Sequence, residues 1–313
     1  MAALAVGLIG AGAMGLAMAQ RLRDGGHAVV VRDIDPARVA LALAAACEVV
    51  ASPAEVAQRC SHLVIAVVDG AQTHEVLFGP AGAAAAMKPG STVLLCPTIA
   101  PQDVEAAAQA LRERGVHVLD APMSGGPQRA REGRMSLMVA GDDAAFEQAR
   151  PLLEILSTQV FRVGTRPGDG ARTKLVNNLL AAVNLAGAAE ALALAAQLGL
   201  DGAATLAVIE ASSGQSWIGS ERAARHLAGD ATVRARAALL AKDSALALAV
   251  AEGGPLPLPL GRAAAEVFAA ALRAGHADAD DSALFRLAQV PVQRAAAQRQ
   301  PSAPRPPPAE SAP

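Results

Sequence analysis

The chain of 313 residues has no tyrosine, one tryptophan and five phenylalanines, so aromatic side chains make up only 2% of it. Alanine, leucine and valine must therefore fill the core, and at 52% hydrophobic residues there is enough apolar mass for one. An excess of charge is also missing. The formal net charge of −2 gives no electrostatic reason to expect nucleic acid or an acidic membrane surface as a partner. Cysteine is scarce: Cys47, Cys60 and Cys96 are an odd number without metal-type or redox-type spacing, and a reduced, cytoplasmic compartment is the expectation. The six histidines, at positions 27, 62, 74, 117, 226 and 276, pair with no cysteine or carboxylate at ligand spacing, so no metal site is expected. The apolar first nine residues lack a basic leader segment and run at once into a glycine turn, unlike a secretory signal.

What is present begins with that turn. Residues 4–9 (LAVGLI) form a short apolar run, the pattern of a buried parallel strand. Gly10-x-Gly12-x-x-Gly15 follows and leads into the helical pattern MGLAMAQRLRDGG. Gly10 permits a tight turn, Gly12 lets backbone approach a pyrophosphate, and Gly15 lets helix and strand pack closely. Ala13 and Met14 then offer helix N-terminal N–H groups to the phosphates. Strand, glycines, helix and a second strand (AVVVRD) in this order predict a dinucleotide site. Asp33, 18 residues beyond Gly15, falls where a carboxylate accepts from ribose hydroxyls and repels a 2′-phosphate, which favours NAD over NADP. The competing detail is Arg32, whose cation would suit a 2′-phosphate if turned inward. Asp35-Pro36 reads as a helix cap followed by proline at the first helical position.

Strand-like runs recur at 62–68, 92–96, 116–120, 136–141 and 160–164, most of them separated by helical stretches. The alternation predicts an α/β fold with a mainly parallel, doubly wound sheet of the Rossmann type. Ligands in such sheets sit beyond the carboxyl ends of the strands. That rule gathers Val67, Val68 and Gln72, then Pro97-Thr98, then Asp120-Ala-Pro-Met-Ser-Gly-Gly126 at one crevice. Ser124, Gly125 and Gly126 read either as a nest for a carboxylate, with Gly125 facing the space the carboxylate needs, or as an ordinary tight turn.

Residues 168–199 predict one long helix, about 40 Å for some 27 residues. It is apolar almost all round, which suits burial between two masses, and its three asparagines and Glu190 argue against a membrane span. Lys174 and Asn178 share one face, four residues apart. From the residues alone Lys174 either snorkels to water or, facing a dry interior with a lowered pKa, has a chemical task. Helical patterns continue at 203–211, 218–227, 234–251, 262–274 and 282–289, with PLPLPL (255–260) as a rigid connection. The domains expected are therefore 1–165, dinucleotide-binding, and 166–290, all-helical and opening with the long helix. Residues 291–313 read as a disordered tail.

Four separated motifs, GLIGAGAMG (7–15), DAPMSGG (120–126), GDGARTKLVNN (168–178) and AKDSAL (241–246), together resemble the β-hydroxyacid dehydrogenase family, whose members include 3-hydroxyisobutyrate dehydrogenase. The resemblance spans residues 4 to about 288. It implies hydride transfer between the hydroxyl-bearing carbon of a small hydroxy acid and a nicotinamide cofactor. Lys174 would be the catalytic lysine, and Asn178 its substrate-binding neighbour. Ser124, Gly125 and Gly126 would hold the substrate carboxylate. Thr98 would contact the nicotinamide end of the cofactor, and Lys242 would reach the cofactor from the helical domain. The family usually has serine where this chain has Pro97, and its NADPH-using members place arginine where this chain has Ile34. The segments AQTHEVLFG (71–79) and GQSW (214–217), the latter with Trp217 as a substrate contact, look most like members acting on sugar acids such as threonate.

Two other readings stand beside this one. An NADPH-dependent reductase of semialdehydes or imines has Asp33 and Ile34 against its cofactor, and Lys174 against most imine reductases. A dinucleotide-sensing protein without turnover would have little use for Lys174, Asn178 and Ser124 together. The long apolar helix suggests a homo-oligomer, a dimer or a tetramer.

Overall fold

The structure, a computed structural model, describes residues 3–289; the tail expected over 291–313 lies outside the described residues. The first half alternates strands and helices: β1 (Ala5–Ile9), α1 (Ala13–Asp24), β2 (Ala28–Arg32), α2 (Pro36–Ala44), β3 (Glu48–Val49) and α3 (Pro53–Arg59). Then come β4 (His62–Ile65), α4 (Gly70–Phe78), β5 (Thr92–Leu95), α5 (Pro101–Arg112), β6 (His117–Asp120) and β7 (Met123–Ser124). The half closes with α6 (Gly126–Arg131), β8 (Ser136–Ala140), α7 (Asp143–Leu156) and β9 (Gln159–Gly164). From there the described chain is helical: α8 (Asp169–Gln197), α9 (Gly202–Glu210), α10 (Trp217–Leu227), α11 (Ala237–Ala251), α12 (Pro259–Arg273) and a last stretch over 283–289.

The nine strands form one sheet in the order β3-β2-β1-β4-β5-β6-β8-β7, with β9 on β8. Alternate residues of each strand feed opposite faces, as the two-residue strand period requires. Val6, Leu8, Val64 and Leu94 enter one apolar layer with α1 and α7, while Ile9, Leu63, Ile65, Val93 and Leu95 enter the other with α3 and α5. Both faces are covered, hence the near-continuous apolar runs of the strands. Pairing is parallel through β6 and turns antiparallel only where β8 meets β6 and β7. Strand order reverses around β1, which pairs β2 on one side and β4 on the other. That switch point opens the crevice at the carboxyl ends.

A third core, around Leu185, Ala189, Leu192, Phe268 and Phe285, belongs to the helical half. There α8 is packed on by α10, α11 and α12, and its first turns rest on the sheet, where a side chain at Gly170 would meet the Met138 carbonyl and Asp120. The expectation that α8 is buried all round needs correction. Val176, Leu180 and Leu194 are 71%, 60% and 55% exposed on one side. Composition alone did not show this, because an apolar residue reads the same whether its neighbours come from its own chain or not. Proline set the start of α12 at Pro259, inside the stretch read as a connection, since proline is well tolerated in a first helical turn.

Candidate active site

The glycine turn has the shape its spacing predicts. Gly10 has φ +99°, and a Cβ there would stand 2.7 Å from the Ala66 carbonyl oxygen; a Cβ on Gly15 would stand 1.9 Å from that of Gly10. Close packing at these two positions excludes any side chain. Gly12 differs: a Cβ there would meet nothing within 4 Å, so its backbone borders open space. Helix α1 starts on Gly12 without a side-chain cap, which leaves the N–H groups of Ala13, Met14 and Gly15 free for an anion. This open, uncapped cradle fits a dinucleotide pyrophosphate.

Asp33, just past β2, fastens the turn from outside. Its Oδ2 accepts from Ala11 N at 2.5 Å and its Oδ1 from Asp35 N at 2.8 Å. Ile34 beside it is 85% exposed, so no cation stands there, and the Nε of Arg32 is buried without a partner among the described residues. Asp35 caps α2 by accepting from Ala37 N, as its sequence context predicts. Past β4, the Gln72 side chain accepts from Val68 N at 3.1 Å, and Asp69 caps α4 through Gln72 N. Val67, Val68, Gln72 and Thr98 thus follow the carboxyl ends of β4 and β5 on the same side as the glycine turn.

Helix α8 has no cap of its own. Gly168, in the left-handed region at φ +98°, precedes it, and the capping carboxylate comes from β6. Asp120 Oδ2 accepts from Gly168 N and Ala171 N, both at 2.8 Å. Asp120 is fully buried, its other oxygen has no partner, and burial pushes its carboxyl up to about 6 against the pull of the helix N–H groups. This residue joins the strand leading into the Ser124 loop to the helix that carries Lys174. Sequence reasoning missed it; its one signal was its position at the head of DAPMSGG.

Lys174 lies one turn into α8, buried, with no hydrogen bond or ion pair among the described residues. Burial pulls its pKa down to about 8; Asp243 pulls the other way, and Lys242 adds to the lowering. Asn178, buried on the next turn, donates from Nδ2 to Asp243 Oδ2 at 2.6 Å. Lys242 Nζ donates to the Thr98 carbonyl oxygen at 2.6 Å and sits 2.8 Å from Asp243 Oδ1, an ion pair without hydrogen-bond alignment. Lys174, Asn178, Lys242 and Thr98 are therefore one cluster, built from α8, α11 and the end of β5. Its centre is Asp243, a buried carboxylate that the sequence marked only as the companion of Lys242. A neutral amine is available here at mildly alkaline pH, which is what a proton acceptor requires.

The Ser124 loop departs from expectation in one detail. A Cβ on Gly125 would press on Arg129, at 2.9 Å from Cδ and 3.2 Å from Cβ, so Gly125 does not face open space. Gly126 does: a Cβ there would meet nothing within 4 Å. Both have positive φ, +122° and +77°. The space beside this loop thus adjoins Gly126 and Ser124, and Gly125 is glycine because backbone and crowding demand it. Trp217, opening α10, is 44% exposed and stands over the loop's neighbour: the Arg129 guanidinium carbon is 4.5 Å from its ring centroid.

Comparison with known proteins matches both halves of the chain. Residues 5–164 match the NAD-binding domain of 6-phosphogluconate dehydrogenase, and residues 168–288 match the NAD-binding family of NADP-dependent 3-hydroxyisobutyrate dehydrogenase. An L-threonate dehydrogenase of Cupriavidus necator is 40% identical over 285 residues, covering 90% of this chain and 95% of the relative. A NAD-dependent L-serine dehydrogenase of Pseudomonas aeruginosa is 37% identical over 213 residues, 68% of this chain and 71% of the relative. Among solved structures, a 3-hydroxyisobutyrate dehydrogenase from Salmonella typhimurium superposes with a TM-score of 0.84 at 36% identity, covering 91% of this chain and 99% of that one.

Proposed function

The chain belongs to the β-hydroxyacid dehydrogenase family, and from that premise we propose that it oxidises a small sugar acid of the threonate type, with NAD as partner and Lys174 as the base. It is an oxidoreductase of hydroxy acids that works with a nicotinamide dinucleotide. The observation that carries our reading is a buried lysine whose pKa burial lowers to about 8, clustered with Asn178, Asp243 and Lys242, the last bonded to Thr98 past the carboxyl end of β5. A cofactor seated on Gly10–Gly15 supplies the hydride acceptor. Lys174 Nζ accepts the hydroxyl proton as the carbon–hydrogen bond breaks. Asn178, tethered by Asp243, donates to a substrate oxygen, and Ser124 with the Gly126 backbone holds the carboxylate. Lys242, bonded to the Thr98 carbonyl, closes the crevice from the helical side.

The sugar-acid reading rests on the extent of the likeness to L-threonate dehydrogenase, nearly end to end in both chains. The preference for NAD rests on Asp33 and on the uncharged Ile34 beside it. Initial rates with a panel of L-threonate, 3-hydroxyisobutyrate, L-serine and glycerate, each with NAD and NADP, test both. Highest kcat/KM with L-threonate and NAD is expected; a higher value with NADP for every substrate would remove the cofactor assignment.

We also propose a homo-oligomer in the cytoplasm. Val176, Leu180, Ala191, Leu194 and Leu198 are exposed and recur at helical spacing along the open side of α8, a stripe about 33 Å long. A second copy of this chain, laying its own α8 against it, removes that apolar surface from water. Leu180→Arg together with Leu194→Arg should lower the mass measured by light scattering; an unchanged mass would reject this contact. The three cysteines are buried and free, in keeping with a reducing compartment.

A further inference from the structure

Beside the Ser124 loop stands a cation, Arg129, that makes no ion pair within 4 Å among the described residues; Glu132 senses its charge only at longer range. It lies on α6, immediately after the Ser124–Gly126 loop, and its stem lies along Gly125. Its neighbours are paired: Arg131 with Asp24, and Arg134 with Glu132. Glu132, three residues on, is occupied by Arg134 and Gln128. Arg129 itself makes no side-chain hydrogen bond or ion pair among the described residues, although it is half-buried. Its one strong contact is the face of Trp217, which comes from the helical half.

That contact uses only one face of the guanidinium. The ring, 4.5 Å from the guanidinium carbon, restrains the group on one side, and its five N–H donors make no hydrogen bond among the described residues. A flat guanidinium edge matches the two oxygens of a carboxylate. The ring contact does not by itself satisfy those donors. The loop against which the Arg129 stem lies opens one residue further on, where a Cβ on Gly126 would meet nothing within 4 Å.

We propose that Arg129, held against Trp217, is a specificity-determining residue that grips the carboxylate of the hydroxy acid bidentately, with Ser124 and the Gly126 backbone completing its contacts. This deepens, and rests on, the reading of the site as a hydroxy-acid dehydrogenase. It makes the acid group obligatory, because a neutral analogue leaves the guanidinium donors without a charged partner. The loop supplies direction and Arg129 supplies charge. Trp217 is a positioning residue for that charge, so the helical half takes part in carboxylate recognition without touching the carboxylate.

The chain contains a single tryptophan, so all indole emission comes from the ring that Arg129 covers. Full-length protein is titrated with L-threonate and with its neutral amide while indole emission is followed. Wild type should respond saturably to the acid and not to the amide. Loss of a charge-assisted pair, about 1.5–3 kcal/mol, corresponds to a dissociation constant raised roughly 10- to 150-fold in Arg129→Met. Arg129→Lys, which keeps the charge and loses the fork, should fall between. In turnover, Arg129→Met should raise KM and leave kcat within a few-fold. A flat titration in the wild-type protein, an Arg129→Met variant that binds the acid as well as wild type, or an amide that binds like the acid would each overturn the proposal. Normal titrations with no turnover of any hydroxy acid would instead remove the functional reading and leave Arg129 as an anion-binding residue.

Discussion

Replacing Lys174 with methionine should make the protein more stable and nearly inactive at the same time. The ammonium is buried with only Asp243 to offset its desolvation, and its pKa falls from 10.5 to about 8. At about 1.4 kcal/mol per pKa unit, that fall is a penalty of about 3 kcal/mol carried by the folded state wherever both states hold the proton. The folded pKa lies below the unfolded one, so the penalty is full below pH 8. It shrinks as pH rises from 8 to 10.5, where the unfolded chain still binds the proton and the folded one has released it. Methionine fills nearly the same volume without charge, so Lys174→Met should gain about 1–3 kcal/mol at pH 7, and the gain should fade toward pH 10. Losing a positioned base should cost about 10²–10⁴-fold in kcat. Thermal midpoints at pH 7 and pH 10, beside initial rates of hydroxy-acid oxidation, provide the assay. In wild type, kcat/KM for oxidation should climb through pH 8 and level off above it. Lys174→Arg should also fail, because arginine keeps its proton. A Lys174→Met protein that melts lower than wild type and turns over normally would refute the reasoning and return Lys174 to a structural role.

Asp243→Asn removes the group that raises the Lys174 pKa, so the lower limb of the kcat/KM profile should move to more acidic pH; a limb left in place would show that Asp243 does not act on the lysine. Asp33→Ala should raise KM for NAD at least several-fold and also lower the melting temperature, since Asp33 ties Ala11 N to the end of β2. Unchanged kinetics with NAD would remove Asp33 from cofactor binding. Gly126→Ala should raise KM for the hydroxy acid and lose some stability through its positive φ, whereas Gly125→Ala should lose more, about 1–3 kcal/mol, because crowding on Arg129 adds to the φ strain that both positions share, with KM little changed. Equal effects of the two, read by KM and thermal midpoint, would cancel the distinction drawn between them.

Much of this protein is legible in one dimension because its chemistry is carried by local runs. The turn at Gly10–Gly15 needs a strand before it and a helix after it, and all three are contiguous. The alternation of strands with helices fixes a doubly wound sheet, and the change to unbroken helical periodicity after Gly164 marks the second half. Lys174 and Asn178 could be paired because a helix places residues four apart on one face. Asp35 could be read as a cap because capping acts within three residues.

Tertiary structure decided what depends on distance between segments. Asp120 caps a helix that starts 49 residues later, and nothing local in DAPMSGG points to α8. Asp243 became the hub of the site only when α11 came to rest beside α8. Which loop glycine faces open space was settled by the course of the Arg129 side chain, which the order Ser-Gly-Gly does not contain. The meeting of Arg129 with Trp217 spans 88 positions and joins the two halves of the chain. Periodicity reports what lies within a turn or two of backbone. The partners of a buried charge, whose desolvation must be offset by whatever packs against it, are chosen by the fold.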